Sequence, residues 1–124
     1  MVARPTIAVP LGDAAGVGPE VTAKAMLDPE IRDACRPLIV GQRWVLERAF
    51  SLLGQSLPLR SVACAAEARY VPGELDFLEV GALSPDEVKV GQVAEATGRE
   101  SGATLVAAAR LVGDGKADGL VSAP

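Results

Sequence analysis

Apolar and polar positions follow two periods along this chain, one typical of strands and one typical of helices. Short apolar runs predict buried strands over residues 6–11, 37–41, 59–64, 75–80 and 119–123. Mixed polarity in the fourth run predicts a strand near a sheet edge. Longer stretches between the runs predict helices from Gly18 to about Asp28, over residues 42–53 and over residues 91–113. This alternation predicts an α/β fold with a mostly parallel sheet flanked by helices.

The helix predicted over residues 42–53 has three apolar residues on one face, at spacing i, i+4, i+7: Leu46, Phe50 and Leu53. Gly54 is expected to end this helix. The last predicted helix has its apolar residues at helical spacing, namely Leu105, Ala108, Ala109 and Val112. Gly98 and Gly102 lie four residues apart in it and predict close packing against a neighbouring element.

Composition restricts the class of protein. The 124 residues are 49% hydrophobic and 23% charged, which is ordinary for one soluble globular domain and too short for two. The net charge is −4, and the 12 basic residues are scattered, whereas a nucleic-acid surface clusters them. No segment has the length or composition of a signal peptide or a membrane span. We therefore expect a cytoplasmic protein without nucleic-acid or membrane partners.

Cysteine and histidine usage limits the chemistry. Cys35 and Cys64 lack the spacing of a metal or redox motif, so we interpret them as reduced thiols packed as small hydrophobic residues. A disulfide between them stays open at this point. The chain has no histidine, the usual acid-base group near neutral pH and the commonest metal ligand. We therefore expect neither a catalytic residue nor a metal ligand within it.

A glycine-rich turn joins the first predicted strand to the first predicted helix and carries Gly12, Gly16 and Gly18. Glycines let a backbone approach a ligand closely, and a helix N-terminus attracts anions, which suits a phosphorylated ligand. Neither the dinucleotide GxGxxG pattern nor the P-loop pattern fits, so a turn without a ligand is an equal alternative. Asp13 suits a turn-stabilising hydrogen bond or a ligand contact, and Glu20 suits a helix-dipole charge or a site carboxylate.

Four motifs in order resemble the 4-hydroxythreonine-4-phosphate dehydrogenase family. Residues 7–21 are similar to its opening Gly-Asp-Pro-Ala-Gly-Ile-Gly-Pro-Glu, with Ala14 in place of proline and Val17 in place of isoleucine. The other matching segments are residues 36–41, the set Gly91, Val93, Gly98 and Arg99, and residues 115–124, where Ser122 replaces the usual threonine. The opening loop also resembles that of the isocitrate and isopropylmalate dehydrogenases.

The resemblance implies an isocitrate/isopropylmalate dehydrogenase-like fold and a two-domain homodimer, of which residues 1–124 would be a single α/β segment from an incomplete N-terminal part. It implies an oxidoreductase of EC class 1.1.1. This enzyme would use NAD and a divalent metal ion to oxidise and decarboxylate 4-phosphooxy-L-threonine in pyridoxal phosphate (vitamin B6) biosynthesis. Erythronate or threonate 4-phosphate is the alternative substrate. The family's metal histidines and substrate ligands correspond to positions beyond residue 124.

Two segments carry over from the family to this chain, the loop and the end of the last strand. The residues expected to line the cleft or contact the cofactor are Gly12, Asp13, Gly16, Gly18, Glu20, Ser122 and Pro124. We expect the isolated chain to be catalytically inactive. The rival hypothesis is a non-catalytic truncated module that binds NAD or a phosphorylated metabolite.

Overall fold

Five strands form one parallel sheet in the computed structural model, which describes residues 4–88 and 95–122. The strands are β1 (Thr6–Pro10), β2 (Arg36–Gly41), β3 (Leu59–Val62), β4 (Leu75–Glu79) and β5 (Gly119–Leu120). The helices are α1 (Gly18–Met26), α2 (Pro29–Ala34), α3 (Arg43–Leu53) and α4 (Glu95–Gly113), with 3₁₀ turns at Ala65–Glu67 and Pro85–Glu87. The spatial order is β3-β4-β2-β1-β5, with every neighbouring pair parallel. The predicted α/β class is confirmed.

The short helix α2 is the element that the apolar pattern did not predict. Asp28 caps it, because the Asp28 carboxylate accepts the Glu30 backbone N–H at 2.9 Å. Pro29 follows at the first helical position, so the proline expected to end α1 also begins α2. This helix has no buried residue, which explains why hydrophobic periodicity misses it.

Strand β4 is the second strand of the sheet, next to the edge strand β3, so it lies near an edge as predicted, although it is itself paired on both sides. It pairs with β2 on one side and with β3 on the other. The polar residue that suggested an edge is Asp76, which is 2% exposed. Its carboxylate accepts the Tyr70 backbone N–H at 2.7 Å and lies 3.6 Å from the Arg60 guanidinium. A carboxylate with such partners tolerates burial.

Each face of the sheet packs against different helices. Side chains such as Val9 and Ile39 point toward α1 and α3, where Leu46 and Phe50 are 1% and 2% exposed. Leu53 packs against the same core, and Gly54 ends α3 in a left-handed conformation with φ 70°, as predicted. On the opposite face, residues of the sheet and of α4 form a second core. Its buried members are Ala8, Leu38, Val40, Val62, Ala108, Leu111 and Ala117.

The buried face of α4 differs from the one predicted. Ala108 is buried and Val112 partly so, but Leu105 is 47% exposed and Ala109 is also exposed. Thr97, Thr104 and Leu111 complete the buried set. Burial of Thr104 is tolerated because its hydroxyl donates to the Ser101 carbonyl at 2.9 Å.

The glycines of α4 do not pack as predicted. A Cβ built on Gly98 or Gly102 would meet no atom within 4 Å, so neither approaches another element within the described residues. Gly91 and Val93, quoted above as family motif positions, lie outside the described ranges. Among residues 4–88 and 95–122, no helix has both the length and the apolar content needed to cross a bilayer.

Candidate functional site

The loop from Gly12 to Glu20 leaves β1 at the carboxyl edge of the sheet. Neighbouring strands end beside it, because Leu11 N–H donates to the Val40 carbonyl at 2.9 Å. Val121 N–H donates to the Ala8 carbonyl at 3.1 Å, which continues β5 toward the same edge. Ligands of open α/β sheets bind at this edge, so the structure places the loop where a site is expected.

Local hydrogen bonds fix the first half of the loop. The Asp13 carboxylate accepts the Ala15 N–H at 2.8 Å, and the Asp13 carbonyl accepts the Gly16 N–H at 3.0 Å. Gly12 has φ 78°, a left-handed conformation that strongly favours glycine. Asp13 therefore has the turn-stabilising role considered above, while a ligand contact by Asp13 stays a prediction.

The start of α1 forms the second half of the loop. Gly18 and Pro19 are buried, whereas Glu20 is exposed in the first turn, where its charge complements the helix dipole. Val17 is the N-cap residue and makes no side-chain capping bond. The Val21 N–H closes the first turn by donating to the Val17 carbonyl at 3.0 Å.

Gly16 differs from Gly12 because nothing in this chain requires glycine there. It is exposed, and a Cβ added to it would lie 3.5 Å from the Asp13 carbonyl oxygen, an ordinary contact. Its backbone also lacks a left-handed φ. An exposed glycine without an internal requirement leaves room at the edge of the sheet for an approaching group.

Helix α3 supports the loop from behind. The Arg48 guanidinium donates to the Ala14 carbonyl at 3.0 Å and lies 5.0 Å from the centre of the Trp44 ring. Ala14 and Ala15 are 6% and 3% exposed. Sequence reasoning missed Arg48 and Trp44 because they lie about thirty residues from the loop and carry no local motif.

The cavity beside the loop is small. It lies between Gly16, Glu20 and Arg48 and holds about 10 Å³, roughly the space of one water molecule. A dinucleotide does not fit in such a space. Within the described residues, the loop therefore does not form a complete nucleotide pocket.

Gly41 lets β1 and β2 end close together. A Cβ on Gly41 would lie only 2.6 Å from Cδ1 of Leu11 and 2.9 Å from its Cγ. Leu11 is 3% exposed and immediately precedes the loop. A side chain at position 41 would therefore displace Leu11, the residue that precedes the loop.

Ala82 and Leu83, in the segment that follows β4, form a second rim along the carboxyl edge of the sheet. The Gln42 amide donates to the Leu83 carbonyl at 2.9 Å and accepts the Leu83 N–H at 3.0 Å. The Trp44 indole N–H donates to the same carbonyl at 3.0 Å. The Glu100 carboxylate accepts the Ala82 N–H at 2.6 Å, which ties the rim to α4. These pairs are separated by 18 to 41 residues along the chain, so no local sequence pattern indicates them.

Ser122 follows the end of β5 by two residues and lies on the same edge as the loop, because β1 and β5 are adjacent and parallel. Pro124 falls outside the described residues. At the opposite end of β5, Asp118 and Thr6 bond reciprocally. The Asp118 carboxylate accepts the Thr6 N–H at 2.8 Å, and the Thr6 carbonyl accepts the Asp118 N–H at 2.8 Å. The motif aspartate Asp118 therefore anchors β5 to β1.

Among residues 4–88 and 95–122, the two groups with clearly shifted pKa values lie away from this edge. Burial raises the pKa of the Cys35 thiol, against a smaller opposing effect of Arg4. Burial also raises the pKa of Tyr70, with Asp76 adding to the rise, while a hydrogen bond from Thr6 and the charge of Arg36 oppose it. Cys64 is exposed, so the prediction that it packs as a hydrophobic residue is wrong.

The described residues do not provide a set of side chains suited to binding a metal ion. They include no group of three or more His, Cys, Asp or Glu side chains that could hold one, and the chain has no histidine at all.

Comparisons with known proteins identify the family. The family model described as pyridoxal phosphate biosynthetic protein PdxA matches residues 33–124. A D-threonate 4-phosphate dehydrogenase from Cupriavidus necator is 35% identical over 120 residues, which are 97% of this chain and 36% of that protein.

Solved structures give the same result. A 4-hydroxythreonine-4-phosphate dehydrogenase from Burkholderia phymatum matches with a TM-score of 0.88 and 35% identity, over 96% of this chain and 36% of that one. One from Klebsiella pneumoniae matches with a TM-score of 0.87 and 26% identity, over 99% of this chain and 37% of that one. The resemblance seen in the sequence is confirmed, and this chain spans little more than a third of these relatives.

Proposed function

This chain belongs to the PdxA family, and on that premise we propose that it supplies one wall of the cleft of an NAD-dependent dehydrogenase. The proposed reaction is the oxidation and decarboxylation of 4-phosphooxy-L-threonine in pyridoxal phosphate biosynthesis. Residues 1–124 would be a single α/β segment, the N-terminal part of a two-domain homodimeric enzyme in the cytoplasm. The observation that supports this proposal is the exposed Gly16 at the carboxyl edge of the sheet. A group that approaches there would meet the backbone and no side chain.

The loop binds and orients in this proposal. Its backbone is held by Asp13 from within and by Arg48 from behind, so it would meet a ligand with little reorganisation. Gly12, Gly18, Glu20, Ser122 and Pro124 would complete the same wall. NAD, when bound, would accept the hydride from the substrate. Acid-base groups would come from other parts of the enzyme, because this chain contains no histidine.

D-Threonate 4-phosphate is the second candidate substrate. The observation that favours it is the 35% identity to the Cupriavidus necator relative, which carries that substrate in its name. Both candidates are phosphorylated hydroxy acids, so the wall described here serves either one.

A hybrid enzyme tests the proposal. This chain replaces the matching 36% of the Cupriavidus necator protein, and NAD reduction is followed with each substrate and added divalent metal ion. Turnover by the hybrid, and none by the 124-residue chain, is the expected result. A hybrid that folds cooperatively and yet reduces NAD with neither substrate would contradict the proposal.

Gly16→Ala sharpens the test. In the hybrid we expect KM for substrate or NAD to rise about tenfold, because a methyl group would occupy the approach to the wall. The melting temperature should stay within about 2 °C, since the added Cβ makes only ordinary contacts. Gly102→Ala on α4 is the matched control, also exposed and uncrowded. Equal KM values for the two variants would show that Gly16 does not line the cleft.

A non-catalytic module that binds NAD or a phosphorylated metabolite is the alternative function. Calorimetry of the isolated chain with NAD and with each phosphorylated acid separates the two. Saturable binding without turnover in the hybrid would favour the module.

A further inference from the structure

Helix α3 bonds to both the glycine loop, residues 12–20, and the second rim. Near the start of the helix, the Trp44 indole N–H donates to the Leu83 carbonyl of the rim at 3.0 Å. One turn later, the Arg48 guanidinium donates to the Ala14 carbonyl of the loop at 3.0 Å. Trp44 and Arg48 are four residues apart and are therefore neighbours on the helix surface. Adjacent side chains of one helix thus hold two segments of the carboxyl edge.

The two side chains also contact each other. The Arg48 guanidinium carbon lies 5.0 Å from the centre of the Trp44 ring, within the range of a cation–π interaction. A tilt of the indole that broke its bond to Leu83 would also take the ring away from the guanidinium. Movement of Arg48 away from Ala14 would remove the same contact from the other side. The cation–π contact therefore joins the two hydrogen bonds into one unit.

The second rim is a fixed point of the fold. Leu83 is 8% exposed, and its backbone makes two hydrogen bonds with the Gln42 amide. The Glu100 carboxylate accepts the neighbouring Ala82 N–H. Gly81 makes room for that carboxylate, because a Cβ at position 81 would overlap one of its oxygens. A loop connected to this rim is therefore connected to a segment that is itself held from two sides.

We propose that Trp44 is a positioning residue that couples the glycine loop to the second rim and sets the distance between them. Its N–H group bonds to the rim, and its ring face contacts the arginine that holds the loop. Phenylalanine has the face without the donor, so it supplies only half of this connection. The inference deepens the proposed function and rests on it, since a cleft binds its ligand best when its sides are already in place.

Residue-resolved hydrogen exchange of the 124-residue chain tests the coupling without a ligand. Arg48→Met removes the guanidinium and keeps most of the aliphatic side chain. We expect the Leu83 amide to exchange about threefold faster in this variant, the effect of losing one cation–π contact, although Arg48 bonds to the loop and not to the rim. Trp44→Leu should accelerate exchange of the Gly16 amide by a similar factor. Rates are normalised to the buried Leu38 amide, so that a general loss of stability cancels.

Two further variants give the rescue and the control. Arg48→Lys keeps a cation and a donor, so the Leu83 rate should return to within about twofold of the unmodified chain. Arg43→Met is the matched control, because it is the same substitution on the same helix and the Arg43 guanidinium bonds to Glu47. Acceleration at Leu83 in Arg48→Met and not in Arg43→Met supports the proposal. Equal rates at Leu83 in these two variants would overturn it, because the loop and the rim would then be held independently.

The hybrid enzyme measures the consequence for binding. Trp44→Phe keeps a ring beside Arg48 and removes the donor to Leu83. We expect KM for substrate or NAD to rise about fivefold while kcat changes by less than about twofold, because the residue positions the binding surface and does not take part in the chemical step. An unchanged KM in an active hybrid would overturn the positioning role. A hybrid without activity would contradict the proposed function, and the exchange rates would still decide whether Trp44 couples the loop to the rim.

Discussion

Replacing Gly41 with alanine probes the contact that positions the loop. The new Cβ would lie 2.6 Å from Cδ1, 2.9 Å from Cγ and 3.1 Å from Cβ of Leu11. Carbon atoms pack at about 3.5–4.0 Å, so the Leu11 side chain would have to move by about 0.9 Å. Leu11 is 3% exposed within the core shared with α1 and α3, which leaves little space for that movement.

The expected cost follows from these distances. Overpacking of a well-packed core costs about 1–3 kcal/mol, and we expect about 2 kcal/mol for Gly41→Ala. Leu11→Ala alone removes the two nearest atoms and leaves a cavity, at a cost of about 3 kcal/mol. In the double variant the added methyl group occupies part of that cavity. Its destabilisation should be smaller than the sum of the single effects by about 1.5 kcal/mol.

Urea unfolding measures all four proteins of this cycle. Trp44 is the only tryptophan, and it lies on α3 next to the loop, so its fluorescence reports on this region. The linear extrapolation gives the free energy of unfolding of each variant. The reasoning is refuted if the destabilisations of the two single variants sum to that of the double variant within about 0.5 kcal/mol, because Gly41 and Leu11 would then be energetically independent. A cost below about 0.5 kcal/mol for Gly41→Ala would refute it as well.

Three further predictions concern hydrogen bonds and protonation. Asp13→Ala should lower the free energy of unfolding by about 1 kcal/mol in urea melts, whereas Asp13→Asn should retain most of it, since an amide oxygen still accepts the Ala15 N–H. Asp118→Ala should speed hydrogen exchange of the Thr6 amide more than that of the Leu38 amide, because the Thr6 N–H loses its carboxylate acceptor while the backbone bond from residue 118 to the Thr6 carbonyl remains. Cys35 and Tyr70 have raised pKa values in the folded chain, so the stability they contribute is full below their ordinary values of 9.0 and 10.0 and declines as the pH rises through the folded values. Thermal melts from pH 8 to pH 11 should show this decline, and it should be smaller in Cys35→Ser.

The order of strands and helices was predictable because it depends on local patterns. The apolar run that ends at Gly12 and the Gly18-Pro19-Glu20 start of a helix are both signals within a few residues, and α1 begins at Gly18 as expected. The burial of Asp76 in β4 was not predictable in this way. Asp76 looks like a residue of an edge strand until Arg60 and the Tyr70 amide are known to surround it.

The orientation of α4 shows a second limit of periodicity. Its sequence is rich in Ala, Val, Leu and Gly on every side, so several faces have nearly equal hydrophobicity. Thr97 and Thr104 look like surface residues in the sequence, yet they are 1% and 2% exposed. Threonine hydroxyls bond within the helix, as Thr104 does to the Ser101 carbonyl, and this removes most of the cost of burial.

The site divides into a part that local sequence specifies and a part that tertiary structure supplies. The turn at Asp13 is encoded within four residues, and the glycine-rich strand-to-helix pattern predicted where it lies. The supports behind it, Arg48 and the Gln42–Leu83 pair, form only when distant segments meet. No motif search on one segment would therefore find them.

The glycines of the edge separate what the chain needs for itself from what a ligand would need. Gly12 has a left-handed backbone, and Gly41 lacks space for a Cβ, so folding alone accounts for both. Gly16 has neither constraint, because its backbone and its surroundings accept alanine. Gly16 also lies at the edge where ligands of this fold class bind, so the proposed cleft gives it a role that folding does not. Gly16 is accordingly the position where loss of catalysis without loss of stability would separate a cleft wall from a simple turn.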